Sequence, residues 1–154
     1  MESGLKPGLS IENLKASAGG FVLEICSLKV SPGAVVCVMG KSGSGKSILL
    51  DTIGGFIPAS HGKIFCGDRE LTYLSPELRK VAYVFQHSAL FSHLTVAGNI
   101  EFPLAIKKIA SGERFRRVGD WMKKLHIEAL ADRKVHGLSG GEAQRVAIAR
   151  ALIN

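Results

Sequence analysis

Alternating apolar and polar positions in the first third of the chain predict β-strands. Residues 9–14 alternate loosely, which favours an edge strand. Residues 21–26 place Phe21, Leu23 and Ile25 on one face, the period of two that is typical of a strand. A further short strand is expected over residues 63–66, after a turn at residues 61–62.

Two continuous apolar runs predict additional strands. Residues 34–39 directly precede a glycine-rich loop. Residues 81–85 are apolar throughout, which is typical of a strand buried on both faces of a sheet. Because Cys37 lies inside the first run, we expect it to be a small buried thiol.

Helical periodicity begins after the glycine-rich loop and dominates from Gln86 onward. A helix is expected from about residue 45 to residue 53, ending at Gly54 and Gly55. Residues 87–137 have helical spacing throughout and predict a helical lobe inserted into an α/β core. One apolar stripe in this lobe is interpreted as core packing, and its members are Phe115, Val118, Trp121, Met122 and Leu125.

Composition limits the class of protein without identifying it. The chain has 154 residues, 46% of them hydrophobic, and a net charge of +7. That size suits one domain with a core of its own. The basic residues are dispersed in short clusters, so we expect no nucleic-acid partner. Residues 1–10 contain no apolar secretion signal, and the three cysteines have no C-x-x-C spacing, which favours a reducing cytoplasmic location.

The glycine-rich loop carries the most specific chemical signal. Residues 40–47 read Gly-Lys-Ser-Gly-Ser-Gly-Lys-Ser and match G-x-x-x-x-G-K-[ST] at every fixed position. Glycines let the backbone curl and direct several N–H groups at one point, which suits a phosphate. The alternative, a glycine turn that contains Lys-Ser by chance, is disfavoured by the apolar run before it and the helix after it. The candidate nucleotide-binding residues are Gly40, Lys41, Ser42, Gly43, Ser44, Gly45, Lys46 (for the β- and γ-phosphates) and Ser47 (for Mg²⁺).

A second local pattern begins at Ser139. Ser139 and Glu142 have the spacing of a capping box at a helix N-terminus. Gly140 and Gly141 fall in the first turn, where each glycine weakens a helix by about 1 kcal/mol relative to alanine. Glycines at these two positions would be explained by an anion that approaches the backbone closely. The apolar stripe expected after them contains Val146, Ile148, Ala149 and Leu152.

Together, three motifs resemble one known family. GKSGSGKS, then Val84-Phe85-Gln86, then LSGGEAQRVAIARAL occur in the order found in the ATP-binding subunits of ATP-binding cassette (ABC) transporters. Residues 89–100 are similar to the segment that follows the glutamine loop in bacterial importers. The resemblance covers essentially the whole chain.

The resemblance implies a P-loop NTPase core with an inserted helical subdomain. Residues 1–86 and 138–154 would belong to the core and residues 87–137 to the subdomain. Gln86 would contact Mg²⁺ or the attacking water. Ser139, Gly140 and Gly141 would contact the γ-phosphate held by a second subunit, so that ATP lies between two subunits arranged head to tail. Phe21 is the nearest aromatic to the adenine-stacking position; stacking on adenine and packing in the core remain equally open.

Family members continue with an apolar strand ending in Asp-Glu, and the sequence stops at Asn154 before such a strand. We therefore interpret the chain as lacking the C-terminal part of the core, and expect it to hydrolyse little ATP alone. The leading hypothesis is the ATP-hydrolysing subunit of a membrane importer, attached to the inner face of the membrane through permease subunits. The alternatives are a non-transport ABC ATPase acting on nucleic acid or ribosomes, and a catalytically inactive nucleotide-binding fragment.

Overall fold

The computed structural model describes residues 8–154, and these divide into two compact units, residues 8–81 and residues 82–154. Most of the N-terminal segment in which no secretion signal is expected lies outside the described residues. The mixed α/β composition agrees with the predicted fold class.

The first unit is built on a four-stranded antiparallel sheet with the order β2-β1-β3-β4. The strands are β1 (Leu9–Ala18), β2 (Phe21–Val30), β3 (Ala59–Cys66) and β4 (Arg69–Glu70). The expected edge position of the first strand is wrong, because β1 lies between β2 and β3. The loose alternation that suggested an edge reflects a register irregularity in the pairing of β1 with β3.

The third strand is longer than predicted. It runs through His61 and Gly62, which were expected to form a turn before it. Gly62 has a φ of +87°, and a Cβ there would collide with the carbonyl oxygen of Asn13 on β1. The glycine therefore permits close approach of two paired strands rather than a reversal of the chain.

Both strands predicted from continuous apolar runs are wrong. Residues 34–39 and 81–85 are not in regular secondary structure, and among residues 8–154 no strand pairs with either run. A buried strand needs neighbours on both sides to satisfy its backbone and cover its side chains. Because residues 34–39 have no such neighbouring strands, Val35 is 98% exposed. Cys37, expected to be buried, is exposed as well.

The first helix confirms its prediction and closes the core of this unit. Helix α1 (Lys46–Gly54) ends at Gly55, which adopts the left-handed conformation of a C-terminal cap. Leu49 on this helix packs with residues of the sheet. The buried core of the unit consists of Ile11, Leu14, Leu23, Leu49, Ile64 and Leu71. A single-turn helix, α2 (Pro76–Arg79), precedes the end of the unit.

The second unit is helical, as the periodicity predicted. Its helices are α3 (Val96–Ile106), α4 (Ser111–Lys124) and α5 (Gly140–Leu152), joined by 3₁₀ turns at Glu128–Leu130 and Val135–Gly137. All three helices contribute to one core. Its buried residues are Val96, Ile100, Leu104, Val118, Met122, Ile127, Leu130, Val146, Ala149 and Ile153.

Each predicted helical stripe is wrong at one end. On α4, Val118 and Met122 are buried, but Phe115 is 84% exposed. On α5 the stripe includes Val146 and Ala149, whereas Leu152 is exposed and Ile153 is buried in its place. The assignment of residues 138–154 to the nucleotide-binding core stays a prediction; in the structure α5 packs in one cluster with α3 and α4.

Candidate nucleotide-binding site

The loop over residues 40–47 curls tightly before it enters α1. Gly43 and Gly45 have φ angles of +80° and +87°, which residues that carry a side chain rarely adopt. The Ser44 N–H donates to the carbonyl of Lys41 at 3.2 Å and closes the turn. A Cβ at Gly40 would lie 2.7 Å from the Ser44 hydroxyl, so a side chain there would displace that hydroxyl. The loop therefore delivers the chain to the N-terminus of α1, where free amides carry a positive partial charge.

The Lys46 ammonium lies inside this loop. It donates to the carbonyl oxygens of Gly40 at 2.9 Å and Lys41 at 2.7 Å, and to the Ser44 hydroxyl at 3.4 Å. These contacts hold a full positive charge beside the glycine backbone. The exposed Ser47 follows on the first turn of α1. Backbone amides, an ammonium and a hydroxyl are the donor set that suits a triphosphate and its metal ion.

Phe21 lies against the loop from the edge strand β2. A Cβ on Gly45 would be 2.8 Å from the Cε1 atom of Phe21 and 3.2 Å from a methyl group of Leu23. The Phe21 side chain remains 39% exposed. The ring is thus packed against the loop on one side and open to solvent elsewhere. Stacking on adenine stays one of the two predictions made for this ring.

The opposite end of α1 is anchored by Arg79, which sequence reasoning missed. Its side chain is 3% exposed. The guanidinium donates to the carbonyls of Thr52 at 2.7 Å and Ile53 at 2.9 Å, which are among the last of α1. It also donates to the carbonyls of Leu74 at 2.7 Å and Thr72 at 2.9 Å. A cation at a helix C-terminus is favourable, and here it also satisfies backbone acceptors.

No sequence signal marks Arg79, because an arginine beside Lys80 is expected on the surface. Its burial lowers the pKa of the guanidinium from its usual value. Gly55 leaves the space for it, since a Cβ there would lie 2.6 Å from Nε of Arg79. Arg79 thus holds the helix that carries Lys46 and Ser47 at its N-terminus.

The second unit carries Gln86 and the turn at residues 139–141. Gln86 and Gly140 both line one cavity of about 520 Å³. Its lining consists of Gln86, His87, Ser88, Ala89, Leu90, Val135, Gly140, Ala143 and Gln144. The segment after Gln86 and the first two turns of α5 are therefore neighbours.

The capping box predicted at Ser139 is confirmed in both directions. The Ser139 N–H donates to Oε2 of Glu142 at 2.7 Å, and the Glu142 N–H donates to the Ser139 hydroxyl oxygen at 3.4 Å. The Ser139 hydroxyl also donates to this carboxylate at 2.7 Å. Hydrogen bonds from the Ser139 hydroxyl and N–H hold the pKa of Glu142 below its usual value.

The two glycines of this turn have no steric explanation within the described residues. A Cβ at Gly140 would meet no atom within 4 Å, and one at Gly141 would meet only a terminal nitrogen of Arg145 at 4.0 Å. Neither glycine has a positive φ angle. Since alanine would fit and would favour the helix, their presence is consistent with the approach of an external group.

Residues 8–154 contain neither a cluster of candidate metal ligands nor a candidate membrane-spanning helix. No group of three or more His, Cys, Asp or Glu residues there is arranged to hold a metal ion. None of the helices there combines the length and the apolar character needed to cross a membrane.

A glycine loop that leads into a helix beginning with Lys-Ser is the phosphate-binding device of P-loop proteins. The family described as "ABC transporter" matches residues 23–154. The chain therefore belongs to the ABC transporter family.

Similar proteins and a similar solved structure support this family membership. The chain is 41% identical to the spermidine/putrescine import ATP-binding protein PotA of Fusobacterium nucleatum, over 97% of this chain and 40% of the relative. It is 43% identical to the sulfate/thiosulfate import ATP-binding protein CysA of Nephroselmis olivacea, over 92% of this chain and 42% of the relative. The chain thus spans less than half the length of these relatives.

A dimeric post-hydrolysis structure of the ATP-binding cassette MJ0796, bound to ADP and Pi, is similar with a TM-score of 0.82. The two sequences are 32% identical, and the match covers 95% of this chain and 69% of that chain. The predicted α/β P-loop fold is confirmed by this likeness. The individual site residues stay predictions.

Proposed function

We propose that this chain is the nucleotide-binding part of an ATP-binding subunit that energises the import of a solute by ATP hydrolysis. The supporting observation is the Lys46 ammonium, which lies within hydrogen-bonding distance of three oxygens of the glycine loop. A phosphate entering this loop would meet a full positive charge together with backbone amides. These groups act most strongly on the anionic oxygens of a nucleoside triphosphate.

Mg²⁺ is proposed to bind with ATP through the Ser47 hydroxyl and the Gln86 amide oxygen. Oxygen ligands of this kind suit a small hard cation that retains several water molecules. When bound, Mg²⁺ would offset charge on the phosphate oxygens. Ser47 would orient the triphosphate and Gln86 would contact the metal or the attacking water.

The turn at Ser139, Gly140 and Gly141 is proposed to contact the γ-phosphate held by a second subunit. Support comes from the two glycines, which no contact within the described residues requires, and from the dimeric state of the similar MJ0796 cassette. Free N–H groups at the start of α5 would face the phosphate. The assembly would therefore be a head-to-tail dimer.

The transported solute is proposed to be selected by partner subunits. PotA is named for polyamines, which are cations, and CysA for sulfate and thiosulfate, which are anions. The chain is about equally similar to both, with 41% and 43% identity. Overall similarity therefore does not favour a cationic over an anionic solute. We propose permease subunits in the membrane as the partners, with this subunit on their cytoplasmic side.

Replacing Lys46 with alanine tests the proposal. We expect Lys46→Ala to weaken Mg-ATP binding about 10- to 100-fold, since a charged hydrogen bond to phosphate is lost. Titration calorimetry of the purified protein measures the dissociation constant. Lys63→Ala serves as the control because Lys63 is an exposed lysine on β3 outside the loop. Equal affinity of Lys46→Ala and wild type would contradict the assignment.

A further inference from the structure

The segment after Gln86 has a backbone conformation that needs support. Ser88 and Ala89 both have left-handed φ angles, +55° and +46°. Two consecutive non-glycine residues in this region are uncommon, because each Cβ is crowded by its own backbone. Such a conformation persists only where surrounding contacts impose it.

One of these contacts comes from Arg150, near the C-terminal end of α5. Its Nη2 donates to the Ser88 carbonyl at 3.0 Å. Its Nη1 is 3.5 Å from Oδ1 of Asn99, at the limit of a hydrogen bond. The guanidinium carbon lies 5.0 Å from the centre of the Phe91 ring, the distance of a cation–π contact. A single side chain thus contacts both ends of residues 88–91.

The second support comes from Asn99 on α3, which is completely buried. Its Oδ1 accepts from the Phe91 N–H at 2.8 Å. Its Nδ2 donates to the carbonyls of Phe91 at 3.1 Å and Thr95 at 3.0 Å. Asn99 therefore holds the Phe91 backbone from α3, while Arg150 holds Ser88 from α5.

Helix α5 meets the same segment a second time at its other end. Gly140, Ala143 and Gln144, in its first two turns, line one cavity with Gln86 and Ser88. An α-helix is a stiff element, so its two ends move together. A displacement of the turn that contains Gly140 would reach Ser88 through the body of α5 and the Arg150 side chain.

We propose that Arg150 is a positioning residue that couples the Gln86 segment to the helix carrying the Ser139 turn. The consequence for ATP hydrolysis rests on the proposed function, in which Gln86 and the Ser139 turn both contact nucleotide. In this role Arg150 would act through its contacts with Ser88, Asn99 and Phe91 and not by binding nucleotide or metal itself. It holds Gln86 and the Ser139 turn in a fixed relative position. Contact of that turn with the γ-phosphate is then accompanied by correct placement of Gln86.

The test compares three variants in the intact ATP-binding protein. Arg150→Gln removes the charge and the forked donor. Arg150→Lys keeps the charge, but its donors are all on one nitrogen, so it cannot contact Ser88, Asn99 and Phe91 together. Val118→Ala is the control, because Val118 is buried in the same hydrophobic cluster yet belongs to α4. It lowers the stability of the unit while leaving in place the hydrogen bonds that Arg150 and Asn99 make to Ser88 and Phe91.

Amide hydrogen exchange without nucleotide reports the contact directly. We expect Arg150→Gln to speed exchange over residues 86–91 about tenfold or more relative to α4, by local opening of the segment. Arg150→Lys should fall between Arg150→Gln and wild type. Val118→Ala should leave the ratio of the two rates unchanged. Unchanged exchange over residues 86–91 in Arg150→Gln would overturn the proposal.

Steady-state ATP hydrolysis reports the consequence. A misplaced Gln86 should lower kcat of Arg150→Gln about tenfold while KM stays within about twofold, since the phosphate loop is intact. Val118→Ala should keep both constants. A changed KM at constant kcat would overturn the coupling role. If Arg150→Gln fails to fold, Phe91→Leu removes the ring beside the guanidinium and should shift both readouts in the same direction.

The two proposals fail differently. If wild type does not bind Mg-ATP, the proposed function is wrong, and the exchange measurement still decides the contact of Arg150. If wild type binds and hydrolyses ATP but Arg150→Gln behaves like wild type, the proposed function stands and the coupling is wrong.

Discussion

At Gly45 two constraints act on one residue. Its φ angle of +87° disfavours any side chain, and a Cβ would lie 2.8 Å from the Phe21 ring. Gly43, two positions earlier, has a φ angle of +80° but no neighbouring atom within 4 Å of its would-be Cβ. The pair therefore separates the energetic cost of the backbone conformation from that of the side-chain contact.

We expect Gly43→Ala to lower the free energy of unfolding by about 1–2 kcal/mol, the cost of a left-handed alanine. Gly45→Ala should lower it by about 2–4 kcal/mol, because the displacement of Phe21 is added. Urea denaturation measures both values. In a Phe21→Ala background the difference between the two substitutions should largely vanish; a difference that persists would mean that Phe21 is not the obstacle.

The sequence predicted the loop residues but not the side chains that pack around them. The residue types from Gly40 to Ser47 form a local pattern, and a local pattern predicts a local backbone. The contact of Phe21 with Gly45 joins positions far apart in the chain. Periodicity placed Phe21 in a strand and could not determine what its ring would touch.

At the scale of elements, α1 depends on a residue outside it. Arg79 satisfies the carbonyls of Thr52 and Ile53, and its side chain fits because position 55 is glycine. Without Arg79 the carbonyls of Ile53, Thr72 and Leu74 would lose this donor, and that of Thr52 would keep the Gly55 N–H at 3.2 Å. Unsatisfied buried acceptors are costly.

We expect Arg79→Met to lower the free energy of unfolding by about 3 kcal/mol or more, since several buried carbonyls lose their partner at once. Lys80→Met is the control, because Lys80 is adjacent in sequence and exposed. Chemical denaturation followed by circular dichroism compares the two variants. Similar midpoints for both would show that Arg79 does not anchor α1.

Elements with local signals were predicted, and elements that depend on neighbours were not. The capping box located the start of α5, and the glycines after Ile53 located the end of α1. Residues 34–39 and 81–85 were predicted as strands from apolar character alone. An apolar segment needs other apolar residues packed against it, whereas a strand also needs a neighbouring strand to pair with. Among the described residues no strand pairs with either of these runs.

At the scale of the whole molecule, the described residues contain two separate hydrophobic cores. One includes Ile64 in the sheet unit, and the other includes Leu104 in the helical unit. Each core lies within one compact unit. The cores therefore stabilise different groups of elements.

We expect Leu104→Ala to speed amide exchange first in α3, α4 and α5, while Ile64→Ala acts first on β1, β2 and β3. Each substitution should cost about 2–5 kcal/mol, because both side chains are almost fully buried. Hydrogen exchange with mass spectrometry resolves the affected segments. Equal acceleration across both units by either variant would show that they open as one.

The sequence by itself determined the glycine-rich loop before α1, the capped start of α5, the helical character of the second unit and the family to which the chain belongs. These depend on residue types at short spacing, which act through local backbone conformation. Only the tertiary structure decided that β1 is central, that Arg79 is buried beneath α1, and that Arg150 and Asn99 hold the segment after Gln86. These features arise where distant residues meet, and their energies come from burial and hydrogen bonding that no local pattern records.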